Sequence, residues 1–375
     1  MDLETTWSEL FKSFESEPEF KCIDCYSCRF VKNLLLSKEL FTDSEIQQYN
    51  RINVEHSTLY RSSGNIVLHV VISSKCRQKN DVHCIVKLAK KEEPVSLLEL
   101  RKIDSSLKWE ALLCNVMHLF SDDIFPKFHF VDVGENNNQP IIILEDLTKR
   151  GYKPLKYKLS EQYLERCMIL LAVFHANTFR LQKKNDVLFS TLCELWKRND
   201  EYIIKQRKEQ IRAFLESSIM TTLDDTLKKR IKQKLKKVEC LKTEIASTII
   251  HGCFTRSKVF MKDDIKYGFG IGDIKLIDFD AIQYDSPSID FGRIFLTNLP
   301  NEDNVSKLER YFCSMMDAYL ERFKCTYPEM NSTLVKQEII HNLILSYINL
   351  SYLEKGAISN HISILHMFNK IGSFD

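Results

Sequence analysis

The chain has 375 residues, 44% of them apolar, which is enough to bury a sizeable core and to form two lobes. Fifty-three basic residues against 51 acidic ones leave a formal charge of +2, so no overall field argues for nucleic acid or a membrane surface. Twelve cysteines scattered through a chain of this size read as reduced thiols rather than staples. The acidic start MDLETTWSELF and the lack of an apolar run of about 18 residues argue for a cytoplasmic protein.

In chain order, Thr6 to Glu9 has capping-box spacing, and Trp7, Leu10, Phe11 and Phe14 follow at helical period, which predicts an opening amphipathic helix. Cys22, Cys25 and Cys28 form a CxxCxxC run that lacks a nearby fourth nitrogen or sulfur ligand, so ordinary thiols are the reading. The β-rich runs at 66–72 and 84–88 predict neighbouring strands of an antiparallel hairpin, with Lys87 in IVKL on the second. Glu110 follows in LKWEALLCNVMHLF, an amphipathic helical context. Residues 141–147, IIILEDL, read as a buried strand running into a polar turn. A helix is expected from about Ser160, with Leu164, Cys167, Leu171 and Phe174 on one face and His175 as a packed histidine.

Residues 193–245 are charge-rich and helical. Leu227, Ile231, Leu235 and Val238 recur at helical spacing, so the basic run 228–237 is read as a solvated face rather than a nucleic-acid patch. Between His251 and Asp290, two short apolar runs, 259–261 and 274–277, flank a Gly-containing connection and predict a hairpin that presents polar side chains to one site. Helices over 302–324, 333–354 and 358–371 complete the chain.

HGCFTRSKVF, then LIDFD and SPSID, together with IVK, LEDL and FHA, resemble the ecdysteroid kinase-like (CHK kinase-like) family, which is related to choline and aminoglycoside kinases. The resemblance implies an α+β, two-lobed protein-kinase-like fold. Residues 1–145 would be an N-terminal lobe with a small antiparallel sheet, and 146–375 a larger, mainly helical C-terminal lobe carrying the hairpin 251–290. It further implies that Lys87 contacts nucleotide phosphates and pairs with Glu110. LEDL, with Glu145, would mark the hinge that meets the adenine. Asp278 would hold the metal, and Asp290 would brace the catalytic loop. The expected cofactors are ATP and Mg²⁺, and the expected acceptor is a small hydroxylated molecule such as an ecdysteroid.

Three elements of the family pattern are lost. YRSSGN retains only a displaced Gly64 in the phosphate loop, Cys253 stands where the catalytic Asp is expected, and Lys258 replaces the metal-binding Asn. Asp280 stands where the family has Gln and adds a carboxylate near the metal position. A thiol is mostly protonated at neutral pH, and a lysine repels a second cation. The expectation is therefore weak or lost phosphotransfer, a pseudokinase or small-molecule binder, with Lys258 among the phosphate contacts. The alternative is an active ATP-dependent O-kinase that uses Asp280 as its base.

Overall fold

The computed structural model describes residues 49–56, 65–74, 81–89, 97–120, 123–134, 140–197, 200–240, 246–262, 270–300, 302–351 and 358–375. The expected opening helix, the CxxCxxC run and Gly64 lie outside the described residues. The chain divides into two compact units. The first ends at Asn115 and resumes over Pro126–Gly151; the second takes Val116–Phe125 and Tyr152–Asp375. The sequence reading sets the boundary at 145/146, whereas this division falls after the 3-10 turn Leu147–Arg150.

The first unit is built on five strands: β1 (Tyr49–His56), β2 (Asn65–Ser74), β3 (Val82–Ala89), β4 (Phe128–Asp132) and β5 (Ile141–Glu145), with helix α1 (Leu97–Val116). They lie in the order β1-β2-β3-β5-β4, every neighbour antiparallel. The expected hairpin is β2–β3, and the IIILE run is β5. Side chains alternate across a pleated strand, so the register sorts them into two faces. Leu68, Val70, Ile72, Cys84, Val86 and Leu88 all lie buried on one face. Lys87 pairs with Val67 and Ile142 on the other, together with His69 and Ile85.

The second unit is mainly helical: α2 (Glu161–Lys184), α3 (Asp186–Lys197), α4 (Asp200–Leu215), α5 (Ser218–Thr222), α6 (Asp225–Cys240), α7 (Ser288–Leu296), α8 (Val305–Thr326), α9 (Ser332–Ser351) and α10 (Ile358–Lys370). Helix α2 packs on α8, and α7 packs on α9. Contact between α7 and α9 is close enough that a Cβ at Gly292 would lie 2.4 Å from that of Ser346. A side chain larger than hydrogen there would force the helices apart. The aromatic core includes Phe291, Phe295, Phe312, Tyr319 and Phe323, with edge-on and stacked ring contacts.

In α6, Leu227, Ile231 and Leu235 are buried as their spacing requires. The basic face has one exception: Lys234 is also buried and reaches the Asp375 carbonyl at 3.4 Å. Among the described residues, no helix is long and apolar enough to cross a membrane.

Two small sheets carry the polar segments of the second unit. Strands β6 (Tyr152–Pro154), β8 (Val259–Lys262) and β9 (Ile274–Leu276) form one, in the order β6-β8-β9; β7 (Thr248–Ile250) and β10 (Gln283–Asp285) form the other. The hairpin expected from the two apolar runs is β8–β9, with Val259 opposite Leu276.

Candidate functional site

In the first unit, Lys87 and Glu110 come together as the sequence spacing suggests. Lys87 Nζ donates to both Glu110 oxygens, at 2.8 and 3.1 Å, and both side chains are almost fully buried. A buried ion pair of this kind holds the lysine at one place on the sheet, because withdrawing either partner strands the other charge. Glu145 is placed differently from Lys87. It pairs with Cys84, on the opposite face, and its carboxylate accepts from the Lys127 N–H at 2.8 Å and from Arg150 at 2.9 and 3.2 Å.

In the second unit, β7 ends at Ile250 and the chain turns through His251, Gly252 and Cys253. Gly252 has φ +78°, and a Cβ on it would fall 1.8 Å from the Ala281 carbonyl oxygen. Only glycine both adopts this φ without cost and leaves room for the turn at Ala281. Asp290, one turn into α7 and fully buried, accepts the His251 N–H at 2.6 Å on one oxygen and the Gly252 N–H at 2.9 Å on the other.

His175 Nε2 lies 3.3 Å from Asp290 Oδ2, and its Nδ1 lies 2.8 Å from the Tyr319 hydroxyl. With Asp290 an acceptor, Nε2 carries the proton and Nδ1 accepts from Tyr319. Burial works against the Asp290 charge, but His175 and the backbone donors outweigh it and hold the carboxyl below its usual range. His175 is therefore packed, as expected, and it also helps hold the loop anchor.

His251 is fully buried, and burial lowers its pKa, so it stays neutral. Its Nε2 donates to the Ile277 carbonyl at 3.1 Å, and Nδ1 accepts from the Cys253 N–H at 3.4 Å. Phe279 packs on this imidazole at 4.9 Å and on Phe125 and Phe174 at 5.6 and 5.8 Å. The aromatic contacts fix the residue between the two acidic positions, Asp278 and Asp280.

Asp278 is the one described non-glycine residue with positive φ, +69°. A left-handed aspartate costs on the order of 1–3 kcal/mol and persists only when its surroundings hold it there. The β8–β9 ladder supplies part of that hold: the Ile277 N–H donates to the Lys258 carbonyl at 3.0 Å, which sets Lys258 beside Asp278. The Lys258 ammonium then donates directly to Asp278 Oδ2. Burial opposes the charge on Lys258, but Asp278 and Asp280 outweigh it and raise its pKa above the ordinary lysine value. Lys258 is an ammonium at neutral pH.

Cys253 is partly buried, and Arg293 Nη1 approaches its sulfur at 3.6 Å. Burial pushes the thiol pKa up; Arg293 and Lys258 pull the other way and do not overcome it, while Asp280 and Asp290 add to the rise. The group is a thiol, not a thiolate, at neutral pH. Alkylation of Cys253, followed by peptide mass spectrometry, is expected to stay slow at neutral pH and to accelerate only above pH 9, the ordinary thiol value. Fast labelling at pH 7 would contradict this protonation state.

The sequence reading did not single out Arg293. Its position one helical turn after Asp290 was the available signal, because residues i and i+3 share a helix face. Nor does spacing alone reveal Tyr319, which reaches His175 from α8.

Magnesium does not fit the Asp278 position as these residues stand, because the Lys258 ammonium already occupies the carboxylate that would hold it.

A lysine tied to a helical glutamate on an antiparallel sheet, and a turn braced by a buried aspartate beside a second aspartate, define a protein with the kinase-like fold. The chain belongs to the ecdysteroid kinase-like family, whose model matches residues 108–331. Solved structures similar to it include the GDP complex of a wild-type aminoglycoside 2'-phosphotransferase-IIIa, with TM-score 0.46 and 12% identity, covering 85% of this chain and 92% of that one. Another is an aminoglycoside phosphotransferase from Alicyclobacillus acidocaldarius, with TM-score 0.43 and 12% identity, covering 88% of this chain and 91% of that one. No curated protein matches the sequence.

Proposed function

We propose that this kinase-like protein is a pseudokinase that binds nucleotide or a small hydroxylated molecule and transfers phosphate weakly or not at all. The observation that carries the reading is the Lys258–Asp278 ion pair. Phosphoryl transfer rests on cations that hold the phosphates and a carboxylate that takes the hydroxyl proton. Here a fixed single positive charge stands on the carboxylate that would hold a divalent ion. By Coulomb's law it opposes a second cation and attracts an anion, so Lys258 can meet a phosphate itself. Lys87, fixed by Glu110, is the other phosphate contact of this reading, and the backbone after Leu144 is the adenine contact. A protonated Cys253 supplies no base, and losing a positioned base costs on the order of 10²–10⁴ in rate.

One observation favours a second reading. Asp280 is near enough to bias the ionisation of both Cys253 and Lys258, so a carboxylate is present to serve as base in an active O-kinase acting on an ecdysteroid-like alcohol. The buried free thiols Cys84, Cys114 and Cys167 support placement in the reducing cytoplasm.

Calorimetry with ATP in EDTA and in Mg²⁺, paired with radiolabel transfer from ATP to a panel of hydroxylated small molecules, tests the two readings. The expected result is binding that magnesium does not strengthen, with no transfer above a Lys87→Ala control. Magnesium-dependent binding with transfer well above that control would establish the O-kinase instead.

A further inference from the structure

Strands β2 and β3 each carry a histidine, and their register decides where the two meet. His69 pairs with Ile85, and Val71 with His83, so the imidazoles stand diagonally on one face, the face that also carries Lys87. Their ring centroids are 5.7 Å apart and their planes are inclined by 14°. The Asp146 N–H donates to the His83 carbonyl at 3.2 Å, which extends the β3–β5 ladder by one residue and brings a carboxylate to the pair. Thr148 fixes that carboxylate, its N–H and hydroxyl donating to Asp146 Oδ1 at 2.9 and 2.7 Å. The remaining oxygen, Oδ2, stands 3.2 Å from His69 Nε2. One donor atom from each of the three residues lies within 4.8 Å of the other two. His83 Nδ1 is buried, and it has no hydrogen-bond partner among the described residues.

Two imidazoles and a carboxylate are donors that suit zinc and its first-row neighbours rather than magnesium. Ligand bonds of about 2.0–2.2 Å in a tetrahedral arrangement set donor atoms roughly 3.4 Å apart. His69 and Asp146 already have that separation, and side-chain rotation at His83 closes the rest. A simple His69–Asp146 ion pair would leave the buried His83 Nδ1 unsatisfied, which is costly. An ion removes that penalty, and the Thr148 contacts are the outer-shell bonds that orient a ligating carboxylate. His69 and His83 are half-buried, so a fourth position is open to water.

We propose that His69, His83 and Asp146 form a divalent transition-metal site of the zinc type, tying β2 and β3 to the end of β5. The proposal does not rest on the reading of the Lys258–Asp278 pair.

The test is titration of the full-length protein with Co²⁺, read by visible absorption, followed by displacement with Zn²⁺. The expected result is one equivalent bound with ligand-field bands but no sulfur-to-cobalt charge-transfer band. His83→Ala and His69→Ala should each weaken binding by at least about 100-fold, since even outer-shell losses cost 10–100-fold. A triple serine variant at Cys22, Cys25 and Cys28 should bind as the parent does. Circular dichroism checks the fold of each variant, and His69→Gln replaces either alanine variant that fails to fold. A thiolate band, binding that survives loss of either histidine, or no binding at all would overturn the site.

Discussion

Replacing Cys253 with Asp and Lys258 with Asn together is expected to raise phosphotransfer by roughly 10²–10⁴ over the parent, the range a positioned general base supplies. Each substitution repairs a different deficit. Cys253→Asp puts a carboxylate, ionised at neutral pH, in place of a thiol whose pKa burial has raised further. Lys258→Asn removes the ammonium from Asp278 and puts an oxygen donor beside it, in the hairpin position that the β8–β9 ladder already fixes. The single Lys258→Asn variant should therefore turn nucleotide binding from magnesium-indifferent to magnesium-dependent, with little turnover. The single Cys253→Asp variant should remain nearly silent, because its base faces an acceptor with no divalent ion to hold the phosphate. Initial rates of ATP-dependent labelling, measured beside calorimetric ATP affinity in Mg²⁺ and in EDTA, check all three. If the double variant binds Mg²⁺–ATP and still transfers nothing, the base and the cation were not the limiting losses. A parent as active as the double variant would end the pseudokinase reading.

Asp290→Ala is expected to destabilise the second unit by about 3–5 kcal/mol, the usual cost of removing one partner from a buried charged network. Three groups lose their acceptor at once: the N–H of buried His251, the buried His175 imidazole and the N–H of partly buried Gly252. The two fully buried donors bear the larger desolvation penalty. Asp290→Asn keeps the shape but offers one acceptor oxygen for two N–H donors, and should cost less. The sign of the acid dependence follows from the depressed carboxyl. Its contribution is complete above the ordinary value of 3.8 and is lost as pH falls through the lower folded-state pKa. Urea unfolding followed by near-UV circular dichroism at pH 7, repeated in acid, measures both effects. A shift under 1 kcal/mol for the alanine variant would mean that Asp290 does not anchor the turn.

Much of the frame was legible in the chain because it depends on short-range pattern. Alternating β-branched runs gave the β2–β3 and β8–β9 hairpins, and 3.6-residue periodicity gave α2, α6 and the last three helices within a few residues. LEDL marks the end of β5, and strand alternation turns the Glu145 carboxylate to the face away from Lys87, where Arg150 and Lys127 hold it, a placement the motif alone does not give.

By itself, then, the sequence determined which residue types stand at the turn from His251 to Asp290: a thiol for a carboxylate, and an ammonium for an amide. Their protonation belonged to the tertiary structure, because desolvation and neighbouring charge decide it. Burial keeps Cys253 protonated, and Asp278 with Asp280 keeps Lys258 charged. The brace on the turn was likewise a product of packing. His175 meets Asp290 across 115 residues and Tyr319 across 144, and only the packing of α2, α7 and α8 brings those separations within hydrogen-bond reach. The same holds for His69, His83 and Asp146, which share no motif and meet because antiparallel register and a one-residue extension of β5 put them on one face.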